Sequence, residues 1–202
     1  MKKVCGVLAR LAGRGRVLSL MLASSAVVAD GLDASEINLE AEAKARIQPF
    51  ANQLLETVQE AIRAQGAPKA VEACQLMAPQ IADRHSHTEW QIGRTSLKLR
   101  NPNNAPDAWE QKVLQHFQQE IAQGKPAKEL SFGEVVGADY RYMQAIVVGE
   151  PCLACHGEKI DPQVRATLQE HYPQDRAVGY RVGDLRGAFT LTLRNINKEP
   201  AR

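Results

Sequence analysis

Cys152-Leu153-Ala154-Cys155-His156, followed at once by Gly157, is the stretch of this chain whose residue types and spacing most plainly do chemistry. Two cysteines separated by two residues, with a histidine directly after the second, is the attachment pattern of a c-type haem. The two thiols add to the haem vinyl groups, and the histidine is left within reach of the iron. The competing readings are a thioredoxin-like dithiol and half of a zinc site. A zinc site needs a second Cys/His pair at metal-ligand spacing, and the sequence supplies none. The expected cofactor is therefore one haem c, covalently held through Cys152 and Cys155 with His156 on the iron.

Such attachment takes place outside the bacterial cytoplasm, so the N-terminus should carry an export signal. Residues 1–16 hold Lys2, Lys3, Arg10, Arg14 and Arg16 and no acid, and an apolar run of 13 residues, Val17 to Ala29, follows. A basic region, a short apolar region and small residues at Val27-Val28-Ala29 read as a signal peptide over 1–29, cut after Ala29. The run is short against the about 20 residues of a bilayer-spanning helix. A periplasmic location follows, an uncleaved N-terminal anchor being the alternative. Cleavage would remove five of the 25 basic residues and leave 20 against 23 acids. The mature chain would be mildly acidic, which gives no electrostatic reason to expect nucleic acid as a partner. About 173 residues would remain, the size of one domain over 30–202.

Counting cysteines singles out another residue. Cys5 leaves with the signal and two are consumed by haem, so Cys74 stands as an unpaired thiol in an oxidising compartment. It is a buried inert thiol, a metal ligand or half of an intermolecular disulfide. Met77, Met143, His85 and His87 compete with it for the far side of the iron, where Met or His is usual in small cytochromes.

The elements that must position these groups are legible in the periodicity. Ile37, Ala41, Leu54, Leu55, Val58 and Ile62 recur at helical spacing from about residue 35 to 65, with Pro49 expected to kink or divide the helix. Its amphipathic face needs a partner, either the core or a second copy in a homodimer. A second helix from about 68 to 84 puts Ala70, Cys74, Met77, Ala78 and Ile81 on one face, where small side chains would admit a flat macrocycle. Residues 89–100 are β-like, and Asn101 to Asp107 is a segment of turn residues with Asp107 placed to cap a third helix over 109–122. His116 on that helix reads as solvated. Period-two patterns predict strands over 130–136 and 140–148, the second leading into the haem motif, then a short helix to about His171 and last strands over 178–182 and 188–193. Helices followed by an antiparallel sheet make the fold α+β.

The sequence resembles the PAS-like c-type haem domains of bacterial sensor proteins, a family long classed as a domain of unknown function. The resemblance is carried by Ala73-Cys74 with Ala78-Pro79-Gln80-Ile81-Ala82, by Gly93 to Glu110 (GRTSLKLRNPNNAPDAWE), by the haem motif, by Asp175 to Tyr180 and by Gly183 to Ala188. These blocks run in order over about 68–190. It implies a PAS-like antiparallel sheet with N-terminal helices packed on it and one covalent haem between them. It also implies iron bound by the histidine of the motif and a cysteine of an N-terminal helix, which match His156 and Cys74. Arg94, Lys98 and Arg100 are candidates to pair the haem propionates. Fixing the long loop that follows them is the other reading.

The expected function is that of a redox or diatomic-gas sensing domain with an unknown redox or signalling partner. A monohaem electron carrier is the alternative. No acid/base constellation accompanies the haem motif, so no enzymatic activity is expected. A thiolate ligand favours ferric iron, which predicts a low reduction potential. Met77 lies one turn beyond Cys74, about 4.5 Å along the axis, so the spacing permits a ligand switch from Cys74 to Met77, or to an open position that binds a diatomic gas.

Overall fold

The computed structural model describes residues 34–196; the expected signal peptide lies outside them. Two helices open the fold, α1 (Ala34–Gln65) and α2 (Ala67–His85). They are separated by Gly66, whose φ of 83° is the left-handed conformation that lets the chain reverse between them. Pro49 does not divide α1, which runs through it. The missing N–H costs one rung of the helix, and the burial of Ile47, Phe50 and Leu54 on either side outweighs it.

A four-stranded antiparallel sheet follows, built from β1 (Trp90–Thr95), β2 (Ser131–Val136), β3 (Asp139–Val147) and β4 (Leu185–Leu193) in the order β1-β4-β3-β2. Between β1 and β2 lies α3 (Ala108–Ala122); between β3 and β4 come the short α4 (Leu153–His156) and α5 (Pro162–His171). The α+β architecture with N-terminal helices on the sheet is as the sequence implied.

Strand alternation sorts the side chains onto two faces. On one, Trp90, Ile92, Tyr140, Tyr142 and Leu191 pack against Ile47, Phe50 and Leu54 of α1 and Ile81 of α2. On the other, Met143 and Ala188 pack beneath Val113, Leu114 and Phe117 of α3. A third cluster ties α5 to α2 through Val164, Leu168 and Tyr172 against Val71. No helix of the described residues is long and apolar enough to cross a membrane.

Asp107 caps α3 as its position suggested. Its carboxylate accepts from the backbone N–H groups of Trp109 and Glu110, at 3.0 and 2.9 Å. The Glu110 carboxylate accepts in return from Asp107 N at 3.0 Å, which completes a capping box. Burial alone would raise the Asp107 carboxyl, but Arg141 and these backbone donors outweigh it and hold it below the ordinary value. A depressed carboxyl contributes stability above its unfolded value that is lost as pH falls through the folded one. Asp107→Ala should therefore cost about 1 kcal/mol in urea unfolding at neutral pH. The difference from the parent should shrink on acidification below the ordinary carboxylate range.

The segment 178–182, expected as a strand, is not one. Only Tyr180 makes a bridge, parallel to Gly157, and Gly179 and Gly183 adopt φ of 75° and 92°. Its backbone donors are engaged elsewhere, as the site makes clear.

Candidate haem-binding cavity

Two residues beyond Ile92 on the same face of β1 is Arg94, and two before Leu191 on β4 is Phe189, which Arg94 faces across the ladder. Here the core between helices and sheet opens into a cavity of about 410 Å³. Its lining is mostly apolar, with Phe50, Leu54, Val58 and Ile62 from α1 and Ala70, Cys74 and Ala78 from α2. The small residues of α2 recur every four positions, so the helix presents a shallow wall. The same cavity is lined by Cys152, Cys155 and His156, brought there by a helical turn in which Glu150–Cys152 leads directly into α4.

The imidazole of His156 is fixed by its surroundings. Its Nδ1–H donates to the Ala177 carbonyl at 2.7 Å, which leaves Nε2 as the unprotonated, ligand-competent nitrogen. Burial, then the Arg100 and Arg186 charges, hold this histidine well below its ordinary pKa, so it stays neutral. Around it, Tyr180 N donates to the His156 carbonyl at 3.0 Å and Gly179 N to that of Gly157 at 3.1 Å. Residues 177–180 thus strap the turn that carries Cys152, Cys155 and His156 in place, and donors spent on it cannot join a sheet. That is why 178–182 is not a strand.

Arg100 completes the strap from outside. It is paired with Asp175 at 3.0 Å, donates to the Cys155 carbonyl, and has Nη1 3.5 Å from His156 Nε2. Asp175 in turn accepts from Ala177 N at 2.8 Å. The side chain of Arg100 thereby ties together the loops around the site, while it also lines the cavity. Lys98 is exposed, its ammonium 4.8 Å from the centre of the Tyr180 ring. Arg94 differs from both. Its side chain makes no hydrogen bond or ion pair with the described residues, while burial lowers its pKa and the neighbouring Cys74 opposes that shift.

Cys74 is the sole member of the sequence-level ligand candidates on α2 and the sheet that lines the cavity. Met143 is fully buried on the opposite face of the sheet under α3. His85 Nε2 is hydrogen-bonded to Gln53 at 2.7 Å, and His87 is exposed. Met77 is 36% exposed and outside the cavity, so it does not share the face with Cys74 as the spacing suggested. The thiol of Cys74 makes no hydrogen bond among the described residues. Burial raises its pKa, partly offset by Arg94.

Arg186 is a site residue that the sequence reading missed. Ile146 pairs with Gly187 and Val147 with Leu185, so Arg186 is the extra residue of a β-bulge. Released from the ladder, its guanidinium reaches the cavity wall, with Nη1 donating to Ser96 Oγ at 3.0 Å. Gly187 beside it is required by close approach, since a Cβ there would collide with the Thr95 carbonyl and lie 2.9 Å from Ser96 Cβ. Gly187→Ala should force β1 and β4 apart at the cavity and cost about 1–3 kcal/mol, read by chemical denaturation.

These residues fit a haem on the evidence of the cavity itself. It offers an apolar slot, two thiols and a tautomerically fixed imidazole on one turn, a further thiol from α2, and arginine side chains with no carboxylate among the lining residues. A comparison with curated proteins returns no match. Among solved structures, the chain is similar to the cyanobacterial haem protein Tll0287, with 27% identity and a TM-score of 0.59. That similarity covers 83% of this chain and 99% of the other. Residues 34–194 match the family described as Tll0287-like, and the chain belongs to that family.

Proposed function

We propose that the protein is an exported c-type haem protein that senses redox state or a diatomic gas, its haem joined to Cys152 and Cys155 and its iron bound by His156 and Cys74. The observation that carries this reading is the convergence of those four side chains on one cavity, with every other Met or His candidate turned elsewhere. The similarity to a solved haem protein over most of both chains supports it. When bound, haem supplies one-electron chemistry and an iron able to take a small ligand.

The two side chains that would hold the iron are kept very differently, and this favours a switch. His156 is fixed through Nδ1 and its own carbonyl within the strap. Cys74 has no hydrogen bond to hold it, and as a neutral thiol it is a poor ligand. Whatever weakens the thiolate form therefore acts on the α2 side while the attachment turn stays in place. Met77 is exposed and lies outside the cavity lining, which favours an open position over Met77 as the alternative to Cys74.

Electron transfer without a ligand change is the second reading, and the rigid His156 side favours it. Cyclic voltammetry separates the two. A switch gives slow, hysteretic waves and a carbon monoxide adduct of the reduced protein. Fast reversible waves, unchanged axial ligation in both oxidation states and no adduct would sink the sensor reading and leave the carrier. The periplasmic location belongs to the same proposal and is checked by fractionating cells that express the full chain.

A further inference from the structure

The lining of the cavity contains three arginines, Arg94, Arg100 and Arg186, and no aspartate or glutamate. Charges in such surroundings are normally paired, because an isolated buried cation is costly. Arg100 has its counter-charge in Asp175, which lies outside the cavity lining. Arg94 has no partner among the described residues. Arg186 gives one nitrogen to Ser96 Oγ at 3.0 Å and, more weakly, to the Lys98 carbonyl at 3.3 Å, both neutral. Neither Arg94 nor Arg186 thus has a carboxylate within ion-pair distance among the described residues, although the charge of Asp175 is felt at Arg186. They stand on neighbouring strands, β1 and β4; burial lowers the pKa of Arg186, Arg100 and Arg94 lower it further, and Tyr180 and Asp175 oppose them.

From this we infer that Arg94 and Arg186 form a two-point carboxylate clamp at the sheet end of the cavity, one guanidinium for each propionate of the bound haem. The inference rests on the haem reading above and goes beyond it by fixing which way the macrocycle lies. Its carboxylates meet β1 and the β4 bulge, and its apolar edge lies among Phe50, Leu54 and Val58. A planar fork suits a carboxylate. Thr95 and Ser96 do not duplicate the role, since their hydroxyls already donate to the Asn104 and Arg186 carbonyls, at 3.1 and 2.7 Å.

Resonance Raman spectra of the holoprotein test the clamp through the propionate bending modes, which respond to hydrogen bonding. Arg94→Gln and Arg186→Gln should each shift one of the two modes, and Arg100→Gln should shift neither. Should a glutamine variant not fold, Arg94→Lys and Arg186→Lys keep the charge and lose the fork, and should shift the same modes by less. Unmoved modes in the Arg94 and Arg186 variants, with haem still attached, overturn the clamp. So does an equal shift in Arg100→Gln. A wild-type protein carrying no haem would instead overturn the haem reading itself.

Discussion

Replacing Cys74 by alanine should change the ferric spectrum and raise the midpoint potential, by on the order of a tenth of a volt or more given the span that axial ligands command. The direction follows from charge. A thiolate on the iron favours the ferric state, and alanine removes that negative group while leaving His156 in its place. The variant should fold. Alanine is the best helix former, Ala70 and Ala78 already stand one turn away on either side, and no hydrogen bond is lost. The change is therefore confined to the iron. Spectra and potential equal to those of the parent would remove Cys74 from the ligand set.

The second large effect is on attachment. Cys152→Ala with Cys155→Ala should reduce the haem that survives denaturing electrophoresis to background. Either single variant should keep one thioether link and retain part of the stain. The turn that carries the motif does not depend on the sulfur atoms. Its hydrogen bonds run from His156 to Ala177, from Tyr180 to His156 and from Gly179 to Gly157. The one hydrogen bond to a sulfur of this turn among the described residues runs from Gly149 N to Cys152 Sγ at 3.4 Å, and both cysteines also pack against buried side chains. Loss of haem from the double variant thus reports the missing bonds rather than a collapsed site. Full retention of covalent haem would contradict the assignment.

What the sequence disclosed and what it hid divide along physical lines. The attachment motif, the capping Asp107, the solvated His116 and the helix of small residues around Cys74 are local features, readable from type and spacing. Strand pairing places Ile92 and Arg94 on one face of β1, whereas β2, though regularly paired, shows no alternating burial. The period-two reading did not reach Arg186, which lies between the strands read over 178–182 and 188–193; β4 begins earlier, at Leu185, and takes Arg186 in at a bulge. The clue available was the Arg186-Gly187 pair itself, a long cation beside a residue with no side chain. The segment 178–182 has strand composition but lends its donors to the haem turn, a tertiary demand invisible in a local pattern. Pro49 was overridden for a similar reason, since the core closes on both sides of it. Arg94 and Arg100 are alike in sequence and were separated only by Asp175, which lies 75 residues beyond Arg100.

The central claim is that the iron is held by the imidazole of His156 and the sulfur of Cys74. Iron K-edge X-ray absorption of the ferric holoprotein measures it most directly. The account predicts one sulfur at a thiolate distance and five nitrogens in the first shell, the sulfur disappearing in Cys74→Ala. A shell of six nitrogens, a sulfur at the longer thioether distance, or a sulfur that persists in the alanine variant would contradict it.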